Sequence, residues 1–270
     1  MLPLVTLRGS ALEQGRQHGE QLKARIAANI AVYFDRFVRE TLLEREAVHQ
    51  IASQYAEHIQ RQSADYYAGM QGVAEGSGFA FLDIVALNVR YEILYYQFGK
   101  MAMAREAQAD GCTLFALLPE ATTEKHLIIG QNWDWIPEVQ GAVLHTHEPD
   151  GLQTLAFTEA GIVGAKVGFN SEGIGLAING ITTTDDDWTR FSRPAHVRFY
   201  EILRKRDFND AVSVITGEPR ACSTKCVSEF VTSTIAFAPS RPMCSGSRCS
   251  SNGAACATRA TWVGRRSRRF

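Results

Sequence analysis

The sequence has no long apolar run. No stretch approaches the roughly 20 residues that a membrane-spanning helix requires, so no membrane partner is expected. It has almost no net charge either: 28 Lys and Arg stand against 29 Asp and Glu, a formal −1. No bulk electrostatic term draws such a chain to nucleic acid or to anionic lipid. The opening MLPLVTLRGS lacks a basic region followed by an apolar one. No signal peptide is therefore expected, and the expected compartment is the cytoplasm. Cysteine is absent until Cys112, which stands alone; Cys222, Cys226, Cys244, Cys249 and Cys256 crowd the last fifth of the chain. Without a signal peptide these do not read as a secreted disulfide framework. Leucine disappears after Leu203.

What is present is ordinary for a globular protein: 45% hydrophobic and 21% charged residues over 270 positions, enough to bury a core without staples. Residues 11–62 are predicted as helix, from Ala11, Gly15, His18, Leu22 and Ile26 and then Ile30, Tyr33, Phe34 and Phe37 at three- and four-residue spacing. Residues 63–78 carry several glycines, of which Gly76 and Gly78 read as helix punctuation. Residues 81–98 read as a second, largely buried helix. At Asp110-Gly111-Cys112 the texture changes to short apolar runs, CTLFALL, HLIIGQNW, GAVLHTH, LQTLAFT, IVGAKVGF and GLAINGI, separated by turn residues. Each run suits a strand. Residues 194–206 read as helix with Pro194 near its first turn. Helices, then strands, then helix predict an α+β layered domain. From about Glu218 serine, cysteine and arginine dominate, and the segment 218–270 is expected to be an atypical, disordered tail.

Three pieces carry candidate chemistry. Cys112 opens a strand where the helical region ends. Gly111 before it lets the backbone bend at that bond, and Asp110 adds a carboxylate. A lone cysteine is more often a buried core residue, so the neighbours decide. Gly130-Gln131-Asn132-Trp133-Asp134-Trp135 ends another strand. Tryptophans can simply anchor a sheet edge, but two of them around a carboxylate also form a semi-dry pocket in which Asp134 would position an amine. Asn179 follows GLAI and is either a strand-end cap or a donor aimed into a site, while Asn170 to Gly173 forms a hairpin turn.

In that order DGCT, GQNWDW and GFNSEGIGLAING resemble the acyl-coenzyme A:6-aminopenicillanic acid acyltransferase family, and GSALEQGRQHGEQLK resembles that family's prosegment. The resemblance spans roughly residues 8–217. It implies an N-terminal-nucleophile αββα sandwich, made as a zymogen that cuts itself between Gly111 and Cys112. The implied domains are a helical prosegment, 1–111, and a nucleophile core, 112–217. The implied catalytic residues are Cys112 as thiol nucleophile, Asp134 beside it and Asn179 in the oxyanion hole. The implied activity is that of an amidohydrolase or acyltransferase acting on a small-molecule amide or acyl thioester, without cofactor or metal. The family pattern departs at RACSTKCV, where Lys225 stands in place of an asparagine and the family's distal arginine has no match.

Other readings compete. The chain is a catalytically silent or truncated relative if the tail cannot complete the sandwich. The spacings of Cys222 with Cys226 and of Cys244 with Cys249 loosely permit a zinc module, although no paired histidines accompany them. A cysteine–histidine protease would draw on His145 and His147, which alternate along one strand face, but a protease of that kind has its cysteine opening a helix.

Overall fold

The computed structural model describes residues 1–94, 112–178 and 193–216. Strand β1 (Leu4–Arg8) leads into helix α1 (Ala11–Arg36), a π-helical turn over Phe37–Thr41, and helices α2 (Arg45–Gln62), α3 (Ala64–Ser77) and α4 (Phe81–Asn88). The strands follow: β2 (Thr113–Leu117), β3 (Ile128–Asn132), β4 (Gly141–His147), β5 (Gln153–Glu159), β6 (Val167–Asn170) and β7 (Gly175–Leu176). Helices α5 (Ala195–Leu203) and α6 (Phe208–Thr216) complete the described chain. Mixed helix and sheet is the expected α+β class.

One sheet has the order β1-β4-β5-β6-β7, with β1 parallel to β4 and the other pairs antiparallel; β2 and β3 form a separate antiparallel hairpin. Alternation sorts the faces of the large sheet. Val5, Leu7, Ala142 and Leu144 join the core of α1 to α4, and Ala156, Ile174 and Leu176 join that of α5 and α6. The hairpin meets the sheet from its other side. Trp133, just past β3, packs edge-on against Phe157 at 5.1 Å between ring centroids.

Several sequence expectations change in detail. The helix predicted over 11–62 breaks after Thr41, because Leu42 adopts a left-handed φ of 59° and α2 starts afresh at Arg45. The helix over 81–98 stops first at Asn88, and the chain is helical again over 90–94. The run IVGAKVGF is strand only from Val167, since Gly161 (φ 95°) and Gly164 (φ 71°) fold the preceding residues into a turn. Strand β1 was not anticipated, although Val5 and Leu7 bury alternate positions. α6 was not anticipated either.

The glycine-rich stretch 63–78 is helix α3, with only Gly78 (φ 75°) acting as a terminal cap. The other glycines serve packing. A Cβ on Gly72 would lie 2.2 Å from the Leu12 carbonyl oxygen, and one on Gly76 would lie 2.1 Å from that of Arg16. The backbones of α1 and α3 touch there, so no side-chain rotation relieves an added methyl. Gly72→Ala and Gly76→Ala should each destabilise the fold by about 3 kcal/mol despite alanine's better helix propensity. Denaturant titration checks this. Unchanged midpoints would show that the two helices can separate without loss.

Candidate active site

Cys112 heads β2. It is half-buried and forms no disulfide. Its thiol donates to the main-chain carbonyl of Asp134 at 3.6 Å. The hairpin register explains the approach: Thr113 pairs with Asn132, so the residue before Thr113 meets the chain just beyond Asn132. Cys112 and the GQNWDW segment, separate in sequence, thus share one end of the hairpin. The Asp134 side chain is exposed and Trp133 and Trp135 are partly buried; the two indoles stack at 6.1 Å with 14° between their planes.

Gln131 ties this hairpin to the large sheet. Its amide group donates to the Ile178 carbonyl and accepts from the Ile178 backbone N–H at 2.9 Å. A side-chain amide replaces a strand here, satisfying both backbone groups of the residue that precedes Asn179. Asn179 and Gly111 themselves lie outside the described residues, as does the segment 218–270 with its five cysteines.

Behind the tryptophans lies a buried ion cluster that the sequence reading did not single out. Glu159, at the end of β5, has no exposed side-chain surface. It accepts from Arg90, from Lys166 and from the Tyr33 hydroxyl, the last at 2.5 Å. Trp135 donates its indole N–H to the same Tyr33 oxygen at 2.6 Å. The local chain makes this meeting possible. β5 delivers Glu159, the glycine turn reverses direction, and Lys166 rejoins the ladder by donating its backbone N–H to the Phe157 carbonyl at 2.8 Å. Lys166 places its ammonium 4.6 Å from the Trp133 ring centroid. Arg90 lies over Tyr91 at 3.8 Å and near Trp135 at 5.0 Å. Burial, followed by the Arg90 charge, pushes the Lys166 amine well below its ordinary range, and interaction with Cys112 opposes that shift.

His196 on α5 stacks on Tyr91, with 5.0 Å between ring centroids and 7° between planes. It is held neutral chiefly by burial, then by the Lys166 and Arg90 charges. Its Nδ1 lies 2.9 Å from the Asn88 carbonyl, while its buried Nε2 has no hydrogen-bond partner among the described residues. His145 and His147 do share one face of β4, with 4.2 Å between ring centroids, and His145 pairs with Gln153 on β5 at 3.2 Å. Among the described residues no group of three His, Cys, Asp or Glu side chains is gathered as for a metal ion, and no helix is long and apolar enough to cross a membrane.

A half-buried thiol at a strand head, with two stacked indoles and a buried ion cluster behind it, gives the layout of a thiol-centred site in an α+β domain. The sequence model of the acyl-coenzyme A:6-aminopenicillanic acid acyl-transferase family matches residues 121–229. The chain is also 31% identical, over 180 residues, to the acyl-coenzyme A:6-aminopenicillanic-acid-acyltransferase 40 kDa form of Emericella nidulans; the match covers 66% of this chain and 46% of that protein. Together these matches support membership of that family. The chain thus spans less than half the length of this relative. The family match begins beyond Cys112 and runs past position 217, where the sequence reading placed the end of the core.

Proposed function

We propose that the chain is an acyl-transferring or amide-hydrolysing enzyme of the N-terminal-nucleophile kind, with Cys112 as nucleophile. The observation that carries this is the position of the Cys112 thiol at the head of β2, held against the carbonyl that follows Trp133. The family match supports it, as does a relative whose name is that of an acyltransferase. The full fold in this reading is the αββα sandwich, with the β2–β3 hairpin beginning its second sheet.

The first reaction is self-cleavage. The Cys112 sulfur attacks the Gly111 carbonyl carbon, the Gly111–Cys112 C–N bond breaks, and the nitrogen takes up a proton. This leaves Gly111 as a thioester on the Cys112 sulfur. Water hydrolyses the thioester, which frees a Gly111 carboxylate, the thiol and a new α-amine on Cys112. An α-amine has a reference pKa of about 7.7–8.0, so it serves as a general base near neutral pH. Nucleophile and base then belong to one residue. In turnover the thiol attacks the acyl carbon of a small-molecule amide or thioester, and the C–N or C–S bond breaks to release a protonated amine or thiol. The acyl group then passes from the Cys112 sulfur to water or to an amine, which regenerates the thiol. Asp134 would orient the α-amine, and Asn179 would donate to the tetrahedral oxyanion, a contact typically worth about 2.7–4 kcal/mol.

Intact mass measurement of the purified protein tests the reading. The expected products are residues 1–111 and 112–270, with Cys-Thr-Leu-Phe as the new N-terminus. A folded chain that stays whole through prolonged incubation at neutral pH would refute it.

A further inference from the structure

Beyond Asn132 the chain leaves the hairpin ladder, and residues 133–136 belong to no helix or strand. The carbonyl that receives the Cys112 thiol lies in this segment, between two stacked indoles. With no ladder to orient it, the segment depends on where its side chains are anchored. Ring contacts hold the indoles by their faces and edges: Trp133 against Phe157 and Lys166, Trp135 against Tyr91 and Arg90. Such contacts tolerate sliding, whereas a hydrogen bond fixes a direction. Trp135 makes that directional contact, its N–H reaching the Tyr33 hydroxyl at 2.6 Å.

The polarity of this contact is determined by its neighbours. An indole nitrogen only donates and a carboxylate only accepts. Tyr33 stands between them, with its oxygen 2.5 Å from Glu159. Its proton therefore points to Glu159 and its lone pair to Trp135. Burial pushes the hydroxyl pKa up to about 12, which keeps the proton in place at neutral pH. Glu159 is itself held by Arg90 and Lys166, so the hydroxyl has one orientation. Phenylalanine would fill the same fully buried position without a hydroxyl to satisfy. Here the hydroxyl both donates and accepts, in one line that runs from β5 to the segment holding Cys112.

We propose that Tyr33 is a positioning residue: its hydroxyl fixes the Trp133–Asp134–Trp135 segment and so holds the Cys112 sulfur at the place from which it attacks. This rests on the reading of Cys112 as the nucleophile. Tyr33 acts through Trp135 and takes no part in bond making. Self-cleavage is the step that feels it most. The reacting groups belong to adjacent residues, and no substrate binding energy is available to correct their approach. A misplacement of about 1 Å in a reacting group can cost on the order of 100-fold in rate.

Self-cleavage timed by intact mass, and divided by the folded fraction, tests the proposal. Tyr33→Phe keeps the ring and removes the hydroxyl. Trp135→Phe keeps an aromatic ring and removes the N–H. Each should slow the cut about tenfold or more. The double variant should be no slower than Trp135→Phe alone, since both changes remove the same hydrogen bond. A purely structural Tyr33 would lower Tm and leave the rate per folded molecule unchanged. The indole N–H resonances of isotope-labelled tryptophan give a second readout, taken in Cys112→Ala protein, which stays uncut. There Tyr33→Phe should move the Trp133 signal as well as that of Trp135, its own partner. An unmoved Trp133 signal overturns the proposal, and so do losses that multiply in the double variant. Should Tyr33→Phe fail to fold, Trp135→Phe decides: a wild-type rate there overturns the proposal and a slowed one supports it. A wild-type chain that stays whole removes the reading of Cys112, and this proposal with it. A wild-type chain that cuts itself no faster than Tyr33→Phe removes the role of Tyr33 alone.

Discussion

Cys112→Ala is expected to leave the chain as one uncut polypeptide with no turnover. Removing the sulfur removes the attacking atom for self-cleavage and the acyl carrier for each later cycle. It also removes any route to the free α-amine, because that amine appears only after the cut. Loss of a covalent nucleophile costs on the order of 10⁶-fold in rate, which here means activity at background. Stability should hardly change, since the thiol is half-buried and its hydrogen bond to the Asp134 carbonyl is a long one of 3.6 Å. Cys112→Ser should cleave slowly, a hydroxyl being the weaker nucleophile near neutral pH. Mass spectrometry over days of incubation, together with amide-hydrolysis assays, measures both effects. Release of the 112–270 fragment from Cys112→Ala would mean that an outside protease makes the cut.

How much of this could be read from the sequence depends on the range of the interaction. The strands from Thr113 to Leu176 were legible as short apolar runs with turn residues between them. The thiol beside GQNWDW was legible only as two separate motifs; the pairing of Thr113 with Asn132 joins them. Gly78 does cap α3, but Gly76 was misread as punctuation, because glycines inside a helix look like breakers. Their reason lies about 60 residues away, in the carbonyls of Leu12 and Arg16, and no local rule can see it. The start of α1 had a local sign that went unused, Ser10 with Glu13 three residues on. The two cap each other, Glu13 N–H to the Ser10 hydroxyl at 3.4 Å and Ser10 N–H to the Glu13 carboxylate at 2.7 Å. The ion cluster was least legible. Arg90 stands 69 residues before Glu159, with Lys166 only 7 residues beyond, and the sign of each is a charge inside a largely apolar run. Such a charge reads as a solvated face until the partner is known.

Glu159→Gln should be among the most destabilising single changes in the described chain. The carboxylate holds Arg90, Lys166 and the Tyr33 hydroxyl at once, and Tyr33 in turn receives the Trp135 indole. Glutamine keeps the shape and loses the charge, which strands two buried cations against aromatic rings. Breaking a buried ion pair from one side costs about 3–5 kcal/mol, a fall of about 10 °C in Tm for a chain of this size. The penalty comes from the cations left behind, and that has a signature. Adding Lys166→Met to Glu159→Gln removes one of them, so the double variant should be more stable than Glu159→Gln alone. Two unrelated losses would instead add. Thermal unfolding of the four proteins in this cycle, read at matched pH, measures the coupling. Additive losses would mean that Lys166 and Glu159 do not depend on each other. A Glu159→Gln protein as stable as wild type would mean that the cluster contributes nothing to holding α1, residues 90–94 and β5 together, and that its charges are there for the chemistry alone.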